Sequence, residues 1–119
     1  MTKTTDSSPV RIMIDLETLS TGPTAAVVQI AAVRFDESGA IASDLEAYVE
    51  NARFEAGIKI SDALQFGNVD GATLSWWLEQ SDFARADLVR GRDSLKTALM
   101  LFEDWLPEQF ELWCHATFD

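Results

Sequence analysis

Apolar and polar positions alternate in the first third of the chain. Residues 10–17 carry aliphatic side chains at every second position, and this period of two predicts a β-strand. The run AAVVQIAAVRF at residues 25–35 is almost continuously apolar, which predicts a strand buried on both faces. Residues 43–50 alternate again after the turn-forming stretch DESGA, so the pattern predicts three successive strands in an antiparallel meander.

Past residue 60 the apolar positions recur with the spacing of helices. The sequence predicts a short helix in ISDALQFG, a second through LSWWLEQ, a third as far as Val89, and a longer fourth whose apolar stripe ends at Leu106. FELWC at residues 110–114 then predicts a return to a strand. The predicted caps and breakers of the helices are Gly67, Thr73, Ser81, Gly91, Asp93 or Ser94, and Pro107.

The element order β-β-β, helices, β predicts a mixed α/β fold. A sheet with an apolar face needs a covering layer, and the helices can supply it. Sequential elements tend to pack as neighbours without crossing, so we expect the fourth strand to return beside the first. The side chains predicted to lie in the core include Trp77, Trp105, Trp113 and Cys114. Trp76 points away from the apolar stripe of its helix.

Two carboxylates interrupt the first predicted strand. Asp15 and Glu17 are two positions apart, so their side chains share a face, with Cα atoms roughly 6.6 Å apart at ~3.3 Å per residue. Like charges that close repel, and one carboxyl is expected to keep its proton unless a cation intervenes. Mg²⁺ and Mn²⁺ prefer carboxylate oxygens and water, so the pair is a candidate metal site. The alternative is that both are solvent-exposed polar residues at a strand end.

Composition limits the classes of protein to which the chain can belong. It has 119 residues, the usual size of one domain, and 47% of them are hydrophobic, which is too many for a disordered chain. The net charge of −11 argues against broad, charge-driven binding to a phosphate backbone, but not against a nucleic-acid enzyme that takes its cations from solution. No apolar run approaches the ~18 residues that span a bilayer, so no membrane is expected.

The N-terminal stretch MTKTTDSSP has no hydrophobic segment behind it and does not resemble a secretory signal. We expect residues 1–9 to be a disordered polar tail and residues 10–119 to be the folded part. Cys114 is the single cysteine and cannot form an internal disulfide, so a reducing, cytoplasmic location is expected.

Three segments of the chain together resemble a known family. IMIDLETLSTGPTAAVVQIAAVRFD is similar to the first acidic motif of the DEDD 3′–5′ exonucleases. ATLSWWLEQSDFARADL resembles the T-x-x-W-W-x-x-Q segment of one branch, and LWCHATFD resembles that branch's second acidic motif. The branch holds phage exonucleases similar to exonuclease VIII and related bacterial 3′–5′ exoribonucleases. The resemblance covers residues 10–119 and implies a ribonuclease-H-like fold, with this chain as the N-terminal portion of a larger enzyme.

The resemblance also implies roles for particular residues. Asp15 and Glu17 match the two carboxylates of the first motif, and Asp119 matches the carboxylate of the second. In the family these residues hold two divalent ions, Mg²⁺ or Mn²⁺. Thr18 and Leu19 match positions that contact the terminal nucleotide. The implied activity is two-metal hydrolysis of a phosphodiester at the 3′ end of a nucleic acid, which is expected to be single-stranded.

The sequence departs from the family pattern at its end. The family needs a fourth carboxylate and a His or Tyr general base in a third motif, and no residues follow Asp119 to supply them. Without these groups, metal binding by this chain alone should weaken and proton transfer should lose its assistance. His115 lies four residues before Asp119 and is an alternative candidate for the base, although the strand-like ELW before it fits the second motif better.

Two other classes of function stay open at this stage. A non-catalytic binding module would keep the fold without the chemistry, and an acidic DNA mimic would bind nucleic-acid-binding proteins through its negative surface. The sequence does not distinguish a DNA from an RNA substrate, and a homo-oligomer is also open. Arg85, Arg90 and Arg92 could contact phosphate, but a solvated face is the better interpretation of these three cations.

Overall fold

The computed structural model describes residues 9–35 and 52–114, where a mixed sheet packs against helices. The strands are β1 (Val10–Thr18), β2 (Val27–Phe35), β3 (Arg53–Gly57) and β4 (Phe110–Trp113). The helices are α1 (Ile60–Phe66), α2 (Gly71–Leu78), α3 (Asp82–Val89) and α4 (Leu95–Trp105). None of these helices is long and apolar enough to cross a bilayer. The predicted mixed α/β class is confirmed.

The strand order across the sheet is β3-β2-β1-β4. β1 pairs antiparallel with β2, and β2 pairs antiparallel with β3. β4 follows four helices along the chain and runs parallel to β1 at the edge of the described sheet. The prediction that the last strand returns beside the first is therefore confirmed.

One face of the sheet forms the hydrophobic core with the helices. Alternate residues of β1 and β2 are buried on this face, and Ile12 has no exposed surface. Phe54 of β3 packs against Phe102 and Trp105 of α4, with ring centroids 5.3 and 5.7 Å away. Complete burial of an aliphatic side chain such as Ile12 stabilises the fold by ~1.5–3 kcal/mol. Apolar burial on this one face attaches α4 to the sheet.

Polar contacts hold both ends of α4. The Arg34 Nη2 of β2 donates a hydrogen bond to the carbonyl oxygen of Trp105 at 2.7 Å, and the guanidinium lies 4.8 Å from the centroid of the Trp105 ring. At the start of the helix, the Asp62 carboxylate of α1 accepts a hydrogen bond from the backbone N–H of Leu95 at 2.7 Å. The terminal N–H and C=O groups of a helix lack intrahelical partners, so these two contacts satisfy groups that would otherwise need water.

The opposite face of the sheet carries Asp15 and Glu17. The residues that alternate with the core positions of β1 lie on this side, where Met13 is 39% exposed. Trp113 of β4 is 45% exposed, and its ring packs edge-on against the ring of Phe35. Asp15 is exposed and Glu17 is half-buried. The carboxylates therefore interrupt a strand with one covered face, and they lose less hydration than they would between two covered faces.

Side-chain caps begin α2, α3 and α4. Ser81 caps α3 and Ser94 caps α4, as the sequence predicts. The prediction that Thr73 caps α2 is wrong, because the carboxylate of Asp70 accepts a hydrogen bond from the N–H of Thr73 at 2.7 Å. Aspartate is the stronger capping residue, so the helix starts earlier, at Gly71.

The strand predictions differ from the structure in two respects. β3 was missed, although Phe54 and Ala56 alternate with more polar neighbours in the way that a half-buried strand requires. β2 is fully buried only on its core face, and its other side chains are half-buried because no helix of the described chain covers them. The predicted strand at residues 43–50 lies outside the described residues, as do residues 1–8 of the predicted tail.

Two residues predicted to lie in the core are exposed. Trp113 and Cys114 both stand at the end of β4, an edge strand whose four residues are all exposed. An edge strand has a neighbour on one side only, and the sequence pattern does not reveal that position. The prediction for Trp77 is confirmed, and Trp105 is half-buried against the core, while Trp76 is 53% exposed.

Ile12→Ala should lower the free energy of unfolding by about 2–5 kcal/mol, because it leaves a cavity where the side chain has no exposed surface. Met13→Ala removes a side chain of similar size from the opposite face of the same strand and should cost at most about 1 kcal/mol. Urea denaturation of the two variants at matched m-values measures the difference. Equal losses would contradict a core confined to the face that the helices cover.

Candidate active site

The acidic pair lies near the C-terminal end of β1. Asp15 pairs with Ala31 and Glu17 with Gln29 on β2, and pairing on the other side, with β4, ends at Met13. The edge of β1 beyond Met13 is thus free of β4, within the part of the chain that the structure describes. Both carboxylates stand where a strand ends and its loop begins, and they share one face of the sheet.

The pKa of Glu17 is raised above its usual range. Partial burial is the larger cause, because it disfavours the charged carboxylate, and the nearby charge of Asp15 adds to it. This electrostatic interaction agrees with the strand geometry, which directs the two side chains to the same side. A bound cation would offset both the repulsion and the lost hydration, so the chemistry of these two donors fits a hard divalent ion.

Polar side chains extend from Glu17 across the sheet. Gln29 is the cross-strand neighbour of Glu17, and its Nε2 donates a hydrogen bond to Glu55 Oε2 at 3.1 Å. Among the described residues, no three metal-ligating side chains lie close enough together to hold an ion. Asp119 and His115 lie outside the described residues, so their predicted roles stay predictions.

The pairing of β1 with β2 is irregular directly after Glu17. It shifts register between Glu17 and Thr18 and resumes between Thr18 and Val27. The Thr18 hydroxyl donates a hydrogen bond to the carbonyl oxygen of Ser20 at 2.6 Å. The Thr18 carbonyl oxygen accepts a hydrogen bond from Nε1 of Trp77 in α2 at 3.0 Å. Thr18 is thus fixed on both sides, and its predicted contact with a nucleotide stays a prediction.

Leu19 faces the core rather than the acidic pair. Its side chain is 3% exposed and belongs to the same apolar cluster as Ile12. Its N–H donates to the carbonyl oxygen of Ala26 at 2.9 Å, and its own carbonyl oxygen accepts from the N–H of Asp70 at 3.1 Å. Leu19 thus anchors the loop to the core, and its predicted contact with a terminal nucleotide stays a prediction.

The segment between α1 and α2 holds the far end of the same loop. The N–H of Ala26 donates to the carbonyl oxygen of Asn68, and the N–H of Asn68 donates to the carbonyl oxygen of Thr24, both at 2.9 Å. A Cβ on Gly67 would lie 2.5 Å from the backbone of Ala26. Only glycine permits this approach, and the loop after β1 consequently packs backbone to backbone against the end of α1.

Asp70 links the start of α2 to the loop. Its pKa is held below the usual range, first by the backbone N–H of Thr73 and next by the Thr73 hydroxyl, both of which donate hydrogen bonds to the carboxylate. The nearby hydroxyl of Ser20 and backbone N–H of Thr21 lower the pKa of Asp70 further. One carboxylate thus joins the first turn of a helix to the loop that follows the acidic pair.

Sequence reasoning missed the contacts that Asp70 and Trp77 make with this loop. It assigned Trp77 to the core, which is correct for the ring but leaves out the indole N–H. The Asp70-x-x-Thr73 spacing is a capping pattern that could have been found, whereas the contacts with Ser20 and Thr21 join residues far apart in the chain.

Two of the three arginines predicted to lie on a solvated face pair with aspartates of α3. Arg85 forms a salt bridge with Asp82, and Arg90 forms one with Asp87 at 3.0 Å. Both bridges link residues three apart on the surface of α3, which is typical of a solvated helix face. The structure therefore gives these two cations local partners and does not require a phosphate ligand.

Known proteins that are similar in sequence or structure indicate the fold and the family of this chain. The family model of the 3′–5′ exoribonuclease Rv2179c-like domain matches residues 10–119. The exodeoxyribonuclease of Enterobacteria phage T4 is 28% identical, and the match covers 87% of this chain and 49% of the phage protein. The chain therefore spans about half the length of that relative. The crystal structure of cell-death related nuclease 4 (CRN-4) superposes with a TM-score of 0.55 at 18% identity, covering 88% of this chain and 34% of the nuclease.

Asp15→Asn should lower the pKa of Glu17 toward its usual range, because it removes one of the two causes of the shift while burial remains. Carboxyl-carbon NMR titration measures that pKa directly. Since the raised pKa favours the protonated form in the folded state, the contribution of Glu17 to stability falls as pH rises through the interval between the usual and the raised pKa. Asp104→Asn, on the exposed side of α4, is the control. Equal titration of Glu17 in all three proteins would contradict the proximity of the pair.

Proposed function

Because the chain belongs to the 3′–5′ exoribonuclease Rv2179c-like domain family, we propose that this protein removes nucleotides from the 3′ end of a nucleic acid by metal-dependent hydrolysis. The observation that carries the proposal is the acidic pair at the end of β1, in which Glu17 resists ionisation beside Asp15. Carboxylates in that arrangement are better suited to a cation than to solvent. The superposition with a nuclease of known structure supports the fold that the reaction requires.

Asp15, Glu17 and Asp119 are the proposed ligands of Mg²⁺ or Mn²⁺. β4 runs parallel to β1 and ends in register with Met13, so the chain leaves Trp113 in the direction of the acidic pair. Asp119 lies six positions after Trp113 in the sequence, which is within reach of a short stretch of chain. The direction of β4 therefore supports Asp119 as a ligand.

In the proposed chemistry, bound ions and residues of the chain have different roles. Two divalent ions in such a site activate a water and stabilise the leaving oxygen of a phosphodiester. Asp15 and Glu17 hold the charge in place, and the sheet fixes their spacing before substrate arrives. The net charge of −11 gives the rest of the surface little attraction for phosphate. We propose that the substrate enters as a single strand and binds mainly at its 3′ end.

Whether the sugar of the substrate is ribose or deoxyribose is a separate question from the type of reaction. The family description specifies RNA, and the name of the phage relative specifies DNA. Proteins distinguish the two by local contacts with the 2′-hydroxyl. Assays with matched RNA and DNA oligonucleotides answer this question while the same variants test the chemistry.

Asp15→Asn in the full-length protein should reduce Mg²⁺-dependent release of mononucleotides by about 100-fold or more, the scale of removing one electrostatic group from a preorganised site. The substitution keeps the size of the side chain at an exposed position, so the unfolding midpoint should stay close to that of the parent protein. Stepwise shortening of a 5′-labelled single strand measures the rate.

Asp104→Asn is the matched control, because it removes the same charge from the exposed side of α4 and should leave the rate unchanged. Calorimetric titration with Mn²⁺ should give heat that Glu17→Gln abolishes. An unaffected rate in Asp15→Asn would exclude the proposed nuclease site. Binding of nucleic acid without Mn²⁺ heat or turnover would instead favour a non-catalytic binding module.

A further inference from the structure

Two side chains of the α2 region contact the backbone directly after the acidic pair. We propose that Asp70 and Trp77 are positioning residues, which fix the loop of residues 18–21 and thereby the direction in which Glu17 leaves the end of β1. The inference rests on the proposed function, since it concerns how a carboxylate is presented to a cation. Neither residue is proposed to touch the substrate or an ion.

Trp77 acts at an irregular point of the sheet. Register between β1 and β2 shifts between Glu17 and Thr18, and pairing resumes at Thr18 with Val27 and at the N–H of Leu19, which donates to the carbonyl oxygen of Ala26 at 2.9 Å. The indole N–H supplies a bond from outside the sheet, to the carbonyl oxygen of Thr18 at 3.0 Å. The Trp77 ring is 8% exposed and is therefore itself immobilised by packing. A rigid donor thus holds the peptide group that follows Glu17 by one residue.

Asp70 fixes the next part of the same loop. Its backbone N–H donates to the carbonyl oxygen of Leu19 at 3.1 Å, and its carboxylate accepts hydrogen bonds from Thr73. The Ser20 hydroxyl and the Thr21 N–H lie near enough to the carboxylate to lower its pKa. The contacts with Thr73 alone would suffice to cap α2. Because Asp70 also contacts the loop, the start of α2 and the loop of residues 18–21 are held in a fixed position relative to each other.

The direction of Glu17 matters because metal sites depend on geometry. Groups that orient a ligand without touching the metal typically change metal affinity by about 10–100-fold when they are removed. A displacement of about 1 Å at a reacting group can cost roughly 100-fold in rate. Looser backbone at Thr18 would spread the Glu17 carboxylate over several orientations, with weaker cation binding and slower turnover as the consequence.

The first test measures the loop itself, in the metal-free protein. Trp77→Phe keeps an aromatic ring in the core but removes the indole N–H, and Asp70→Asn keeps a capping side chain but removes the carboxylate charge and one acceptor oxygen. Amide order parameters of residues 18–21 should fall from about 0.85 toward 0.6 in both variants. Ser81→Ala removes the cap of the neighbouring helix α3, where the Ser81 hydroxyl accepts its hydrogen bond from Ala84 of that helix, and should leave those amides unchanged.

The second test measures the consequence for the site. In the full-length protein, both variants should bind Mn²⁺ about 10-fold more weakly by calorimetry, and kcat should fall while KM for a single-stranded oligonucleotide changes little. Ser81→Ala should match the parent protein in Mn²⁺ affinity and in both kinetic parameters. Ser81→Ala also removes a helix cap, so an effect that came only from lower stability would appear in this control too. A lower kcat with little change in KM in the other two variants therefore indicates positioning and not weaker folding.

The outcomes distinguish this inference from the proposed function. If the parent protein gives no Mn²⁺ heat that depends on Glu17, both proposals are wrong. If Glu17→Gln abolishes the heat but neither Trp77→Phe nor Asp70→Asn changes affinity or kcat, the positioning role alone is overturned. An ordered loop in both variants would overturn it as well. Should Trp77→Phe fail to fold, Asp70→Asn decides the question alone.

Discussion

The hydrogen bond from the Trp77 indole to the Thr18 carbonyl joins the helical layer to the strand that bears the acidic pair. It lies next to the point where the pairing of β1 and β2 shifts register, and it adds a bond from the helical layer to the strand pairing that resumes at Thr18. Asp70, Asn68 and Gly67 add contacts along the same loop, through a carboxylate, two backbone hydrogen bonds and a close backbone approach. The loop that follows the candidate site is consequently part of the folded framework.

The two faces of the sheet differ in polarity and in what they contribute to the protein. The face toward the helices is apolar and supplies the stability of the described fold through burial, with Ile12 and Phe102 among the buried side chains. The other face keeps Asp15 exposed and Glu17 half-buried, and the pKa of Glu17 is raised first by its burial and then by the nearby charge of Asp15. A strand with one covered face can therefore hold two carboxylates without placing either in the core.

The charge of the chain also bears on how nucleic acid could bind. A chain with a net charge of −11 repels phosphate over most of its surface, and two of its arginines are paired with aspartates on α3. An attraction for nucleic acid would then depend on cations bound at a few carboxylates. The chain belongs to an exoribonuclease-like domain family and shares its fold with a nuclease, and the geometry of β1 places the two carboxylates near the end of a strand.

Local patterns in the sequence determined most of the elements. The period of two in β1, the serine caps of α3 and α4 and the apolar stripe of α4 are short-range signals, because the residues that form each element lie next to one another in the chain. The same alternation was enough to place Asp15 and Glu17 on one face. The missed strand β3 carried a similar signal over only five residues, too short to distinguish from a loop.

The tertiary structure determined the features that depend on contacts between residues distant in the chain. The sequence placed Leu19 at the substrate and Trp113 in the core, and the fold buried the first and exposed the second. Burial depends on which face the helices cover and on which strand lies at the edge, and neither is encoded by local periodicity. The contacts of Asp70 and Trp77 with the loop after β1 join residues about fifty to sixty positions apart in the chain, so only the folded chain could bring them together.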